Sequence, residues 1–183
     1  MLELSGVTCS GKSTKMHTLS NKLGVCVLKK HYWHFFLGFY WLLVTCNYKK
    51  INFIVSKVVS SDARLLVRAK VFYNVVMKFY YLNSSKNLIV DEGFIQIPFL
   101  LMLPKCSIAE FFKLFNKEIG KLNFYWSVCS ESELTNRILK RGHHRFVGKD
   151  RCYINEFIKN NLNIKKECEM NFEKINIKFK VLE

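Results

Sequence analysis

The run Gly6-Val7-Thr8-Cys9-Ser10-Gly11-Lys12-Ser13-Thr14 constrains this chain more than any other stretch of it. Its spacing is G-x-x-x-x-G-K-[ST], with an apolar strand pattern at 2–5 before it and a helical pattern after it. Glycines let the backbone turn so that successive N–H groups point inward at phosphate oxygens, and the following helix adds the partial positive charge of its N-terminus. Gly6, Thr8, Cys9, Ser10, Gly11, Lys12, Ser13 and Thr14 are the expected cradle for a triphosphate. Lys12 is placed to reach the β and γ phosphates, and the Ser13 hydroxyl to ligate Mg²⁺.

The pattern beyond the loop alternates strands and helices. Met16, Leu19 and Leu23 recur at helical spacing, and Gly24 is a stop signal. A second strand is expected at 25–28. Asp62 reads as the N-cap of a long helix with Leu65, Ala69, Phe72, Val76 and Phe79 on one face. The continuous Leu88-Ile89-Val90 marks a buried third strand at 87–91. Residues 93–106 read as an apolar loop that packs down. Ser107/Glu110 and Ser130/Glu133 read as capping boxes, the first opening a helix to about residue 119 and the second a helix to about residue 141. A fourth strand at 123–129, a helix at about 152–172 and a last strand at 175–182 complete the pattern. Five strands joined by helical crossovers imply a three-layer α/β/α domain with a five-stranded parallel sheet, one domain over 1–183. Ligands of such sheets bind at the carboxyl ends of the strands, where both the loop and Asp91 fall.

Three further groups carry chemistry. Asp91, ending an apolar strand, is suited to hold the Mg²⁺ shell, and Glu92 to orient or deprotonate an attacking hydroxyl. Arg137 and Arg141 share a helix face, and Arg145 and Arg151 follow, the stretch being punctuated by Gly142 and Gly148. Arginines closing over a γ phosphate stabilise charge that spreads over its oxygens, so 137–151 is the expected lid; His143 and His144 read as lid residues. Arg64 and Arg68, four apart, are candidate contacts for an anionic acceptor, with a solvated face as the competing reading.

A net charge of +15 favours anionic partners. Nucleic acid is not expected, because no stacking motif or basic repeat accompanies the charge. Seven scattered cysteines without a C-x-x-C pair argue against a zinc ribbon and for a reducing, cytoplasmic setting. Residue 1 leads directly into a strand, so no signal peptide is expected. The apolar stretch 32–45 is too short to span a bilayer and reads as a buried helix. The alternatives for its rings are contact with a membrane surface, a homodimer face, or, for 32–41, the lining of an acceptor pocket.

With these residues assembled, the chain resembles the nucleoside monophosphate kinase group of P-loop proteins, thymidylate-kinase-like and adenylate-kinase-like enzymes among them. The resemblance rests on the loop, on Asp91-Glu92-Gly93-Phe94, and on the run from Glu133 to Gly142, similar to the helix entering the lid of those kinases. It implies that Arg137 lies over the ATP base and phosphates, that Arg141 faces the transferring group, and that Asp91 or Glu92 faces the acceptor. Lys29-Lys30-His31 departs from the acidic or Arg-bearing element after strand 2 and argues against a thymidylate acceptor. Members of the group often continue past strand 5 with elements that flank the base, so an open base pocket is expected here. The expected activity is transfer of the γ-phosphoryl group of Mg-ATP to a small anionic or hydroxyl-bearing acceptor: a nucleoside, nucleotide or sugar. An ATPase or switch protein, and a nucleic-acid end kinase, are the alternatives.

Overall fold

The computed structural model describes residues 2–7, 10–60, 65–84, 88–127, 129–141, 150–177 and 179–182. The strands are β1 (Leu2–Gly6), β2 (Cys26–Val27), β3 (Leu88–Asp91), β4 (Asn123–Ser127) and β5 (Lys180–Leu182). They form one parallel sheet in the order β2-β3-β1-β4-β5. The helices are α1 (Lys12–Leu23), α2 (Trp33–Thr45), α3 (Tyr48–Val59), α4 (Leu65–Asn83), α5 (Ile97–Leu100), α6 (Lys105–Leu114), α7 (Asn116–Ile119), α8 (Glu131–Arg141) and α9 (Arg151–Lys174). A short 3-10 turn, Phe94–Gln96, leads into α5. The expected three-layer α/β/α arrangement is the observed one.

Side chains alternate across a strand, and the register sorts them by face. Leu4 and Ile89 pack with Met16 and Leu19 of α1 on one side of the sheet. Glu3 pairs with Val90 and Phe124 in register, and their side of the sheet carries the larger core. There Phe79 of α4, Phe111 and Phe112 of α6 and Phe172 of α9 meet Phe94, Phe124 and Trp126.

Several boundaries differ from the sequence pattern. Leu23, expected on the buried face of α1, is exposed. β2 shrinks to two residues. The helix expected to open at Ser107 begins at Lys105 behind Pro104, and Ser107 is buried inside it, so proline rather than the capping box sets its start. That helix also breaks at Phe115. Residues 93–106 do pack down, as turn and helix rather than loop, with Phe94, Ile95, Ile97 and Phe99 buried. The last strand begins at Lys180, not at residue 175. The second capping box forms: the Ser130 hydroxyl accepts from the Glu133 N–H at 3.3 Å, and the Glu133 carboxylate accepts from the Ser130 N–H at 3.4 Å. The cap expected at Asp62 lies outside the described residues. The largest correction concerns 32–45, which is a helix but not a buried one. His34, Gly38 and Leu42 are covered, while Trp33, Phe36 and Tyr40 stand 74%, 62% and 57% exposed. Among the described residues no helix is long and apolar enough to cross a membrane.

Candidate active site

β1 ends at Gly6 with φ of +141°, beside Ser127 at the end of β4. A Cβ at Gly6 would lie 2.6 Å from the Ser127 carbonyl oxygen, so glycine is needed both for the backbone angle and for the close approach of two strand ends. The chain then turns, the Ser10 N–H donating to the Val7 carbonyl at 3.2 Å, and enters α1 at Gly11 with φ of +83°. Thr8 and Cys9 lie outside the described residues. Lys12 is 5% exposed, and its ammonium donates to the Gly6 and Val7 carbonyls at 3.2 and 2.9 Å. The lysine is thus folded onto the loop it would serve, and the Glu92 carboxylate lies 3.9 Å from it. Thr14 is exposed and lines an open depression on α1 with Ser13, His17, Thr18 and Asn21.

Ser13 and Asp91, 78 residues apart, meet. The Ser13 hydroxyl donates to Asp91 Oδ2 at 2.9 Å, and Asp91 Oδ1 is buried with no hydrogen-bond partner among the described residues. An unpartnered carboxylate oxygen beside a hydroxyl suits a hard cation that keeps most of its waters, which is the habit of Mg²⁺. Among the described residues no cluster of three His, Cys, Asp or Glu offers an all-protein metal cage, and a magnesium held chiefly by phosphates needs none. Glu92 follows in the left-handed region with φ of +59°, its N–H donating to the Leu4 carbonyl at 3.0 Å. A non-glycine residue held there stores strain at the strand end.

Arg137 reaches the loop from α8, the helix fixed by the Ser130/Glu133 cap. Its guanidinium nitrogen Nη1 lies 2.9 Å from where a Cβ on Gly11 would stand, and it pairs with Glu133 at 3.8 Å. Arg141 ends the same helix one turn on. Its side chain and residues 142–149, expected as a lid and including Arg145, lie outside the described set, as does Arg64. Arg68 is half-buried near the start of α4.

Four residues of this region carry no assignment from the sequence pattern: Glu3, Gln96, Ser127 and Lys78. Glu3 is fully buried in β1 and accepts hydrogen bonds from the Phe94 and Ile95 N–H groups, each at 2.7 Å, and from the Ser5 hydroxyl. Burial pushes its carboxyl above the ordinary range, against the lowering pull of those donors. A Cβ at Gly93 would stand 2.2 Å from Glu3 Cδ, so the chain turns over the carboxylate only because residue 93 has no side chain. The turn delivers Gln96, 2% exposed, whose amide oxygen accepts from the Gly6 N–H at 3.3 Å. Ser127 accepts from the Ser10 hydroxyl at 3.1 Å and from Lys15 at 3.4 Å, tying the far side of the loop to β4. Lys78, 3% exposed on α4, makes no hydrogen bond or ion pair among the described residues. Burial lowers its pKa from 10.5 to about 8; Glu92 pulls it back up, Lys30 pushes it further down, and Glu3 and Asp91 pull up more weakly. Glu3 and Lys78 do leave a trace in the sequence. An acid in Leu2-Glu3-Leu4 and a lysine in Val76-Met77-Lys78-Phe79 are charges inside apolar runs, where a paired or functional charge is the usual explanation.

No protein-family profile matches the sequence, and no curated protein matches it. Solved structures do match. One is the deoxyadenosine kinase from M. mycoides with bound dATP: TM-score 0.54, 18% identity, 100% of this chain and 90% of that one. The same enzyme with bound dCTP gives a TM-score of 0.53 at 18% identity, with the same coverage. The chain shares its overall fold with that enzyme. The five-stranded parallel α/β architecture expected from the sequence stands, and the likeness does not single out the thymidylate-like or adenylate-like kinases.

Proposed function

We propose that this chain is an ATP-dependent phosphotransferase of the nucleoside kinase type. It moves the γ-phosphoryl group of ATP to a hydroxyl of a small acceptor, with deoxynucleosides the first candidates and nucleotides and sugars behind them. The observation that carries the reading is the meeting of Ser13 with Asp91 and the unpartnered Asp91 Oδ1 beside it. A carboxylate so placed next to such a loop suits a bound cation. The likeness in fold to a protein that binds dATP and dCTP supports the choice of acceptor class.

In this reading Lys12 leaves the Gly6 and Val7 carbonyls for the β and γ phosphates, and the loop amides complete the cradle. Ser13 and Asp91 hold Mg²⁺, which when bound offsets charge on the phosphate oxygens. Glu92, close to Lys12 and under the influence of Lys78, takes the proton of the attacking hydroxyl. Lys78 adds positive charge near that carboxylate. Arg137 lies on the loop, and with Arg141 and Arg145 it neutralises the charge of the transferring group. Arg64 contacts the acceptor.

The test is ADP release measured over a panel of deoxynucleosides, ribonucleosides, nucleoside monophosphates and sugars. Acceptor-dependent turnover that Asp91→Asn removes is the expected result. Hydrolysis of ATP at the same rate with and without every acceptor would replace this reading with the ATPase one.

A further inference from the structure

Helix α2 contains no Asp, Glu, Lys or Arg. A helix that is apolar on every side is ordinarily covered on every side. Only one stripe of α2 is. His34 stacks on Tyr80 of α4 with ring centroids 4.4 Å apart, and Gly38 sits so close to α4 that a Cβ would stand 2.3 Å from the Val76 carbonyl oxygen. At about 100° per residue, Trp33, Phe36, Leu37, Tyr40, Leu43 and Val44 fall on the opposite side in one unbroken arc. Each of them is exposed, from 45% for Leu37 to 74% for Trp33. An apolar surface of this kind marks an interaction site.

Charge indicates what meets it. Between residues 4 and 90 the sequence holds thirteen lysines and arginines and one acid, Asp62. Exposed lysines stand at both ends of α2, Lys29 and Lys30 before it and Lys49 after it. Two copies meeting through α2 would bring two such cationic halves together, which like-charge repulsion opposes. An anionic lipid surface answers both features at once: rings enter the boundary between headgroups and acyl chains while lysines reach the headgroup phosphates. Tryptophan and tyrosine are the side chains favoured at that depth. At thirteen residues α2 is about 20 Å long, which suits lying in the interface and not spanning it.

We propose that α2 is a membrane-docking face, seating its outward rings in the headgroup region of an anionic lipid bilayer. This holds independently of which acceptor the site serves.

The full chain is mixed with vesicles of phosphatidylcholine alone or with phosphatidylglycerol. Bound protein is read by sedimentation, and tryptophan emission is read against brominated acyl chains. Binding to the anionic vesicles only, weakened by added salt, with quenching that falls sharply in Trp33→Phe, is the expected result. The triple change Trp33→Ser, Phe36→Ser, Tyr40→Ser should weaken partitioning about tenfold or more and keep the melting temperature, because those rings are exposed. Lys29→Glu with Lys49→Glu should weaken it by a similar factor without touching the apolar face. Absence of binding to anionic vesicles at low salt overturns the proposal. So does binding without quenching, which would be charge adsorption alone. A solution dimer that the triple change dissociates overturns it as well, because a second copy would then occupy the face.

Discussion

The phosphate loop and the buried carboxylate turn behind it are joined by a hydrogen bond from the Gly6 N–H to Gln96, yet they are assembled by opposite means. The loop is a run of consecutive residues whose geometry follows from glycine angles and the start of a helix. The turn is a convergence of Glu3 from β1, Gly93 to Gln96 after β3, and Lys78 from α4. In the loop, the charge of Lys12 is met by the carbonyls of its own neighbouring residues. Behind it, two ionisable side chains from different elements are buried. The carboxylate is met by three donors, and the lysine by no hydrogen-bond acceptor among the described residues. Contiguous sequence can build a phosphate cradle; only folding can bury a carboxylate and a lysine near the same strand ends.

Four perturbations test that contrast. The largest effect is expected from Lys12→Ala, which removes the one long cation of the loop. Turnover should fall by about two to three orders of magnitude while far-UV circular dichroism is kept, and an unimpaired rate would remove Lys12 from the site. On the buried side, Gly93→Ala forces a methyl group onto the Glu3 carboxylate and should cost about 1–3 kcal/mol in urea denaturation. Adding Glu3→Ala relieves the collision, so the double mutant should be less destabilised than the sum of the singles. Strict additivity would show that the two residues do not meet.

Lys78 gives a pH test. Its pKa is about 8 when folded and 10.5 ordinarily, so between those values the unfolded chain holds a proton that the folded chain has lost. Stability conferred by this group is therefore greatest above pH 10.5 and is lost as pH falls toward 8. Relative to Lys78→Met, the wild type should gain at most about 1.4 kcal/mol per pH unit across that window. A flat difference across the same window would mean that Lys78 is not desolvated. The smallest effect is expected at the Arg137–Glu133 pair, which is largely exposed. Arg137→Gln should raise the KM for ATP about tenfold yet shift the melting free energy by less than about 0.5 kcal/mol. A large loss of stability would recast Arg137 as a structural residue.

Much of the donor side is legible in the sequence, because each of its parts is local. Gly6, Gly11, Lys12 and Ser13 carry their meaning in spacing, and the Ser130/Glu133 box sets the helix that brings Arg137 over Gly11. Asp91 is legible as the end of an apolar strand, though its contact with Ser13 requires β3 to lie next to β1. Gln96 and Ser127 carry no local signal at all. One lies in a segment that reads as loop, the other at the end of a strand, and both matter only because they reach the glycine and serine of a loop distant in sequence. The error over α2 has a similar origin. An apolar sequence says that a face wants cover, not whether its own chain supplies it, and α4 covers only one stripe.

Neighbouring residues alone set the parallel α/β architecture, the glycine turn between β1 and α1 and the helix that carries Arg137, since hydrophobic periodicity, glycine angles and capping are local properties. Tertiary structure alone decided that Glu3 anchors the turn after β3, that Lys78 is buried where it feels the charge of Glu92, and that the rings of α2 face outward. Each of those depends on which strands lie side by side and which helix faces remain uncovered, and no stretch of neighbouring residues encodes either.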